Sequence, residues 1–254
     1  MSAPAIELEL SAPVNLRDLG GIWIAGGTLR PQLAIRTDDI AYATREVAQQ
    51  LVGSGLAAVI DLRSPAEVAT TGRGPLAEFP VAYHNLPLIS DVSRSTPKGA
   101  EGFTHEAMGR MYLDMVENSA EQLVTALNII AYSPGTTAFH CAAGRDRTGV
   151  LAAMLLLALG ASDEDIVADY ALTGQNMRAI MERNRPVMGA MWRALGMDFS
   201  KIDTSQLLNG PMDVAMEMML GELRARHGDP LAPLRAAGLS EDTIQRLSER
   251  AVQR

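Results

Sequence analysis

The stretch HCAAGRDRTGV, His140–Val150, decides how this chain is read. Before it, TTAFH is β-branched and aromatic and reads as a strand. After it, the chain from Thr148 to about Leu159 reads as a buried helix, too short to span a bilayer. The loop from Cys141 to Arg147 therefore turns a strand into a helix N-terminus, where unpaired N–H donors and the helix dipole attract an anion. Gly144 permits positive φ there, and Gly149 lets the helix pack closely. The loop also holds the only cysteine of 254 residues, with Arg147 six positions further on.

Those residue types make a chemical unit. A thiolate is favoured at a helix N-terminus beside cations, so Cys141 is a candidate nucleophile rather than a small buried hydrophobe. Arg147 offers a planar fork for two phosphate oxygens. The backbone of Ala142, Ala143, Gly144 and Arg145 forms the candidate phosphate cradle, with Arg145 as a second cation for substrate. Thr148 is placed to donate to the sulfur when a phosphocysteine breaks down. His140 is expected to support the thiolate or the loop.

Working outward, strands alternate with helical segments, which argues for an α/β fold with a mainly parallel central sheet flanked by helices. Gly20-Gly21 and Gly26-Gly27 mark turns between short strands after a loose start over about residues 1–12. LAIRTDD ends a strand at Asp38. Thr44 caps a helix that the glycines at 53 and 55 stop. Leu56–Leu62 is a buried strand broken by Ser64-Pro65, VAYHNLPLI is another strand, and residues 91–102 form a polar loop. Two helices fill Phe103 to Ala131, Ser162 caps a helix running to Asn184, and Ser240 caps the last one. No repeat or low-complexity linker interrupts the chain, which reads as a single domain.

HCAAGRDRT matches the H-C-x5-R-[S/T] signature and so resembles the cysteine-based protein tyrosine phosphatase superfamily. More narrowly, NLRDLGG (15–21), DLRS (61–64), the loop itself and the later EDIVADY resemble the atypical bacterial tyrosine and phosphoinositide phosphatases related to mycobacterial protein tyrosine phosphatase B. That resemblance implies a tyrosine phosphatase-like fold and puts Cys141 on the nucleophile, Arg147 on the phosphate-binding arginine and Thr148 on the assisting hydroxyl. Arg145 stands where many relatives have lysine. Catalysis then needs no metal or other cofactor, and the implied substrates are phosphorylated proteins or phosphoinositides.

A general acid must protonate the leaving oxygen, worth about 10²- to 10⁴-fold. Asp146, inside the loop, is the candidate that the resemblance implies and is preferred. Asp91, after the VAYHNLPLI strand, resembles the movable-loop aspartate of other tyrosine phosphatases, although no W-P-D sequence accompanies it. Asp61, at a strand end, is expected to support the loop arginines, and Arg17 and Asp18 to form a structural ion pair. Nine of the fourteen methionines fall between 177 and 219. They read either as a helical core layer or as a lid that Pro186, Gly189 and Gly196 allow to pivot.

Net charge is −8, which excludes general nucleic-acid affinity and confines phosphate recognition to a local site. With one cysteine there is no internal disulfide and no cysteine zinc site. The N-terminus has neither a basic nor an apolar signal region, so a cytoplasmic protein is expected, export without a cleaved signal being the alternative. The rival functions are a phosphate-binding docking module without turnover and a rhodanese-like sulfurtransferase, which does not require the R-T-G ending.

Overall fold

A computed structural model describes residues 9–90, 104–194 and 210–252. Its sheet is built from β1 (Arg17–Asp18), β4 (Ala34–Thr37), β5 (Leu56–Asp61), β6 (Ala82–Asn85) and β7 (Thr136–His140), in the order β1-β4-β7-β5-β6. Only β1 runs antiparallel. A separate hairpin pairs β2 (Trp23–Ile24) with β3 (Gly27–Thr28) around the second glycine pair.

Alternation along the strands separates two cores. Ala34, Ile60 and Phe139 face the larger one, while Ile35, Val59 and Ala138 face the smaller. The smaller is covered by α1 (Arg45–Gly53), capped by the Thr44 hydroxyl as expected. The larger is filled by α3 (His105–Asn118), α4 (Ala120–Tyr132), α5 (Asp146–Ala158), α8 (Asp213–His227), α9 (Ala232–Ala236) and α10 (Glu241–Ala251). Eleven of the thirteen residues of α5 are buried, which is why its sequence is apolar on all sides. Burying Leu151, Leu155 and Leu156 contributes roughly 1.5–3 kcal/mol each.

Several local expectations change. The helix after the cysteine loop begins at Asp146, not Thr148, because a carboxylate at the first helical position complements the dipole. Ser64-Pro65 does more than end a strand. It opens α2 (Pro65–Thr71) through a capping box in which Ser64 and Glu67 satisfy each other's backbone N–H. The helix from Ser162 divides into α6 (Asp163–Ala171) and α7 (Thr173–Ala194), where Arg17 Nη2 takes the Asp169 carbonyl at 2.9 Å. Pro186 does not interrupt α7; it is solvent-exposed, so water can satisfy the carbonyl it frees. The expected loose start ends sooner than residue 12, since Ser11 N–H donates to Tyr42 O at 2.9 Å.

Of the methionines, 177, 212, 216 and 219 are buried in the larger core, as a core layer requires. Met197, Gly196 and the side chains of Met188 and Met191 lie outside the described residues, as does the polar loop with Asp91. Among the described residues no helix is long and apolar enough to cross a membrane.

Candidate active site

Thr37, Asp61 and His140 pair in register, so three parallel strands end together at one edge of the sheet. Parallel sheets place their sites beyond that edge. The loop from Cys141 to Arg145 leaves β7 there and enters α5.

What shapes the loop is the fate of its carbonyls. The Ala142 carbonyl accepts from Asp39 N at 3.1 Å and from Asn184 Nδ2 at 3.0 Å. The Gly144 carbonyl accepts from Asn15 Nδ2 at 3.1 Å and from Arg36 Nη2 at 3.0 Å. Asn15 also reaches the Ala143 carbonyl at 3.5 Å. With the carbonyls held outward, none of the N–H groups from Ala142 to Thr148 has an acceptor among the described residues. Such a run of free donors at a helix start is the kind of cradle that can hold an anion. Cys141, 1% exposed, lies at its base.

Gly144 makes the turn possible. Its φ is +66°, and a Cβ there would stand 2.5 Å from both Asp38 N and Thr37 O. Gly144→Ala is therefore expected to lose about 1–3 kcal/mol of stability and, with it, the cradle's affinity for oxyanions. Thermal unfolding with and without vanadate checks this; an unchanged melting point and retained vanadate protection would contradict it.

Arg147 is buried and forms a two-pronged pair with Glu67: Nη1 to Oε2 at 2.7 Å and Nη2 to Oε1 at 2.9 Å. The Nε edge is not taken by any hydrogen bond among the described residues, so one planar edge of the guanidinium stays open. Burial alone would weaken the Arg147 charge, but Glu67 more than offsets it and the guanidinium pKa is raised. Burial likewise acts against the Glu67 carboxylate, yet Arg147 holds its pKa below the ordinary value. Glu67 was not singled out in the sequence. The S-P-A-E box signals its capping role, but nothing local signals the arginine 80 residues away.

Other residues differ from expectation. Asp61 does not support the loop arginines. Its carboxylate accepts from Arg63 Nε at 2.9 Å and Nη2 at 2.5 Å, and from Tyr83 Oη at 2.7 Å. Burial disfavours its charge, but His140 and Arg63 hold its pKa below the usual range. Asp39 stands on the other side of Arg63, with Nη1 to Oδ2 at 2.7 Å. His140 is buried between these carboxylates, 3.6 Å from Asp39 and 3.7 Å from Asp61, and burial lowers its pKa. Its Nδ1 lies 3.3 Å from the Cys141 carbonyl, so it touches the backbone of the loop.

Arg145 turns away from the cradle. It is 2% exposed, and its Nε donates to Tyr170 Oη at 3.2 Å. Asp146 is the loop carboxylate at the surface, its side chain 25% exposed, and it accepts from the Tyr112 hydroxyl. Thr148 is fully buried, and its Oγ1 has no hydrogen-bond partner among the described residues. Arg17 and Asp18 do not pair. Arg17 Nε donates to Asp169 at 2.9 Å, while Asp18 accepts from Gly20 N and Gln32 N at 2.7 Å each. Asp169 also pairs with Arg36, so NLRDLGG and EDIVADY meet behind Gly144 and lock the loop.

A family model described as tyrosine phosphatase family matches residues 8–253. The chain belongs to that family. A Cupriavidus necator protein with the provisional name tyrosine-protein phosphatase is 34% identical over 180 residues, 66% of this chain and 63% of that protein. A tyrosine-protein phosphatase of Nostoc commune is 29% identical over 55% of this chain and 47% of its own length. The match thus spans less than two thirds of either relative. The triple specificity protein phosphatase PtpB of Mycobacterium tuberculosis is 24% identical over 94% of this chain and 96% of its own. Family membership agrees with the expected α/β architecture and with the resemblance carried by those ordered motifs.

Proposed function

We propose that this protein hydrolyses phosphomonoesters through a phosphocysteine intermediate, without metal. The observation that carries the reading is the run of free N–H donors around Cys141, closed on one side by the clamped Arg147. The Cys141 thiolate attacks phosphorus in line; the S–P bond forms as the bond to the leaving oxygen breaks. The cradle and Arg147 hold the equatorial oxygens, where charge builds up. Asp146 gives the leaving oxygen its proton. Water then attacks phosphorus, returning a proton to Asp146, and the thiolate departs with help from the Thr148 hydroxyl.

Phosphotyrosine in proteins is the first substrate class, with phosphoserine, phosphothreonine and phosphoinositides as the wider range. The name of the mycobacterial relative supports breadth. The inward turn of Arg145 favours a single phosphate over a polyanionic head group, because only Arg147 of the two loop arginines faces the cradle. A reduced cytoplasm is the setting that suits a catalytic thiol. A docking module without turnover would not need Cys141 at the base of its cradle.

Turnover of p-nitrophenyl phosphate in EDTA, blocked by vanadate, is the expected result. Strict metal dependence would sink the mechanism. A panel of the three phosphoamino-acid peptides and phosphoinositides then ranks the substrates, with phosphotyrosine expected first.

A further inference from the structure

Behind Asp146 lies a row of buried polar groups that the chemistry above does not use. Arg145 Nε donates to Tyr170 Oη at 3.2 Å; Tyr170 Oη and Tyr112 Oη are 2.7 Å apart; and Tyr112 donates to Asp146 Oδ1. Both tyrosines are essentially inaccessible, and their rings meet edge to face at 6.0 Å between centroids. They come from α3 and from α6, the helix whose Asp169 also holds the loop through Arg36.

The direction of this row is set by valence. A guanidinium only donates and a carboxylate only accepts, while each phenol has one proton to give. Arg145 therefore gives to Tyr170, Tyr170 to Tyr112 and Tyr112 to Asp146. Burial, with Asp146 near Tyr112, raises both tyrosine pKa values, so the phenols keep their protons. Because Oδ1 already receives the Tyr112 proton, Oδ2 is the oxygen left to carry one.

We propose that Tyr112 is a positioning residue for the acid step: it fixes the Asp146 carboxyl and reserves Oδ2 for proton transfer to the leaving oxygen. Tyr170 and Arg145 orient Tyr112 in turn, and Arg145 Nε also stands 3.7 Å from Asp146 Oδ1, so the buried arginine acts on the acid both directly and through the row without touching substrate. The inference rests on Asp146 being the general acid. During the step, the Oδ2 proton moves to the leaving oxygen as its bond to phosphorus breaks, and the Tyr112 proton stays on Tyr112.

Tyr112→Phe removes one hydroxyl and keeps the ring packing. On phenyl phosphate, a poor leaving group, kcat is expected to fall about ten- to a hundredfold. On p-nitrophenyl phosphate, which needs little protonation, it should fall less than about threefold, with KM unchanged on both. Asp146→Asn should show the same leaving-group dependence, and adding Tyr112→Phe to it should cost little more. Equal losses on both substrates, or a changed KM, would mean that Tyr112 only supports the loop and would overturn the proposal. If Asp146→Asn itself shows no leaving-group dependence, the acid assignment fails first. Tyr170→Phe breaks the row one link further back and gives the same test should Tyr112→Phe not fold.

Discussion

Cys141→Ser is expected to lower turnover of p-nitrophenyl phosphate by about 10⁴- to 10⁶-fold, to near the background rate. A serine hydroxyl keeps its proton near neutral pH, and among the described residues no base is hydrogen-bonded to the Cys141 side chain to take it. His140 adjoins Cys141 in the chain, but its ring nitrogens are engaged with Asp39, Asp61 and the Cys141 carbonyl. The cradle is made of backbone N–H groups and Arg147, which the substitution leaves in place. Vanadate should therefore still raise the melting temperature of the variant. Rapid acid quench of the native protein should trap phosphate on Cys141, and the variant should trap none. Turnover surviving in Cys141→Ser would remove the covalent mechanism.

Glu67→Gln is expected to cost about 3–5 kcal/mol of stability, because it leaves the buried Arg147 charge without its counter-charge. It should also lower kcat/KM by about 10²-fold, since Arg147 loses the partner that aims its free edge. Glutamine retains an acceptor oxygen for Ser64 N, so the start of α2 survives and the loss reports on the arginine. The pH dependence follows from the sign of the shift. The folded state holds the Glu67 pKa below its unfolded value. Its stabilisation is thus complete above about pH 4.3 and disappears as pH falls through the lower, folded value. Acid unfolding of Glu67→Gln should be correspondingly less steep. Denaturant unfolding across that range measures both effects; wild-type stability and activity in the variant would show that Arg147 needs no clamp.

Much of the fold follows from short-range pattern. Thr44, Ser162 and Ser240 cap the helices expected of them, because a cap acts within three residues of its own position. The strand TTAFH, the loop and the apolar helix after it follow from period and turn residues alone. The S-P-A-E box was equally legible as a helix start, and reading Ser64-Pro65 as a mere break missed α2 and with it Glu67.

The pairing of charges was not legible, and geometry explains why. Arg17 and Asp18 are neighbours in a strand, so their side chains leave opposite faces and cannot pair. Arg145 and Arg147 stand two apart at the start of a helix, about 200° apart around its axis. One consequently meets Glu67 at the cradle while the other meets Tyr170 behind it. The sequence by itself determined the strand-loop-helix unit, the nucleophile candidate and the family, since these rest on residues within eleven positions and on ordered motifs. Only the tertiary structure decided which carboxylate holds which arginine and which tyrosine holds Asp146. Tyr112 lies 34 residues from Asp146, Glu67 80 from Arg147 and Asp169 152 from Arg17, and only the packing of helices on the sheet brings them within hydrogen-bond reach.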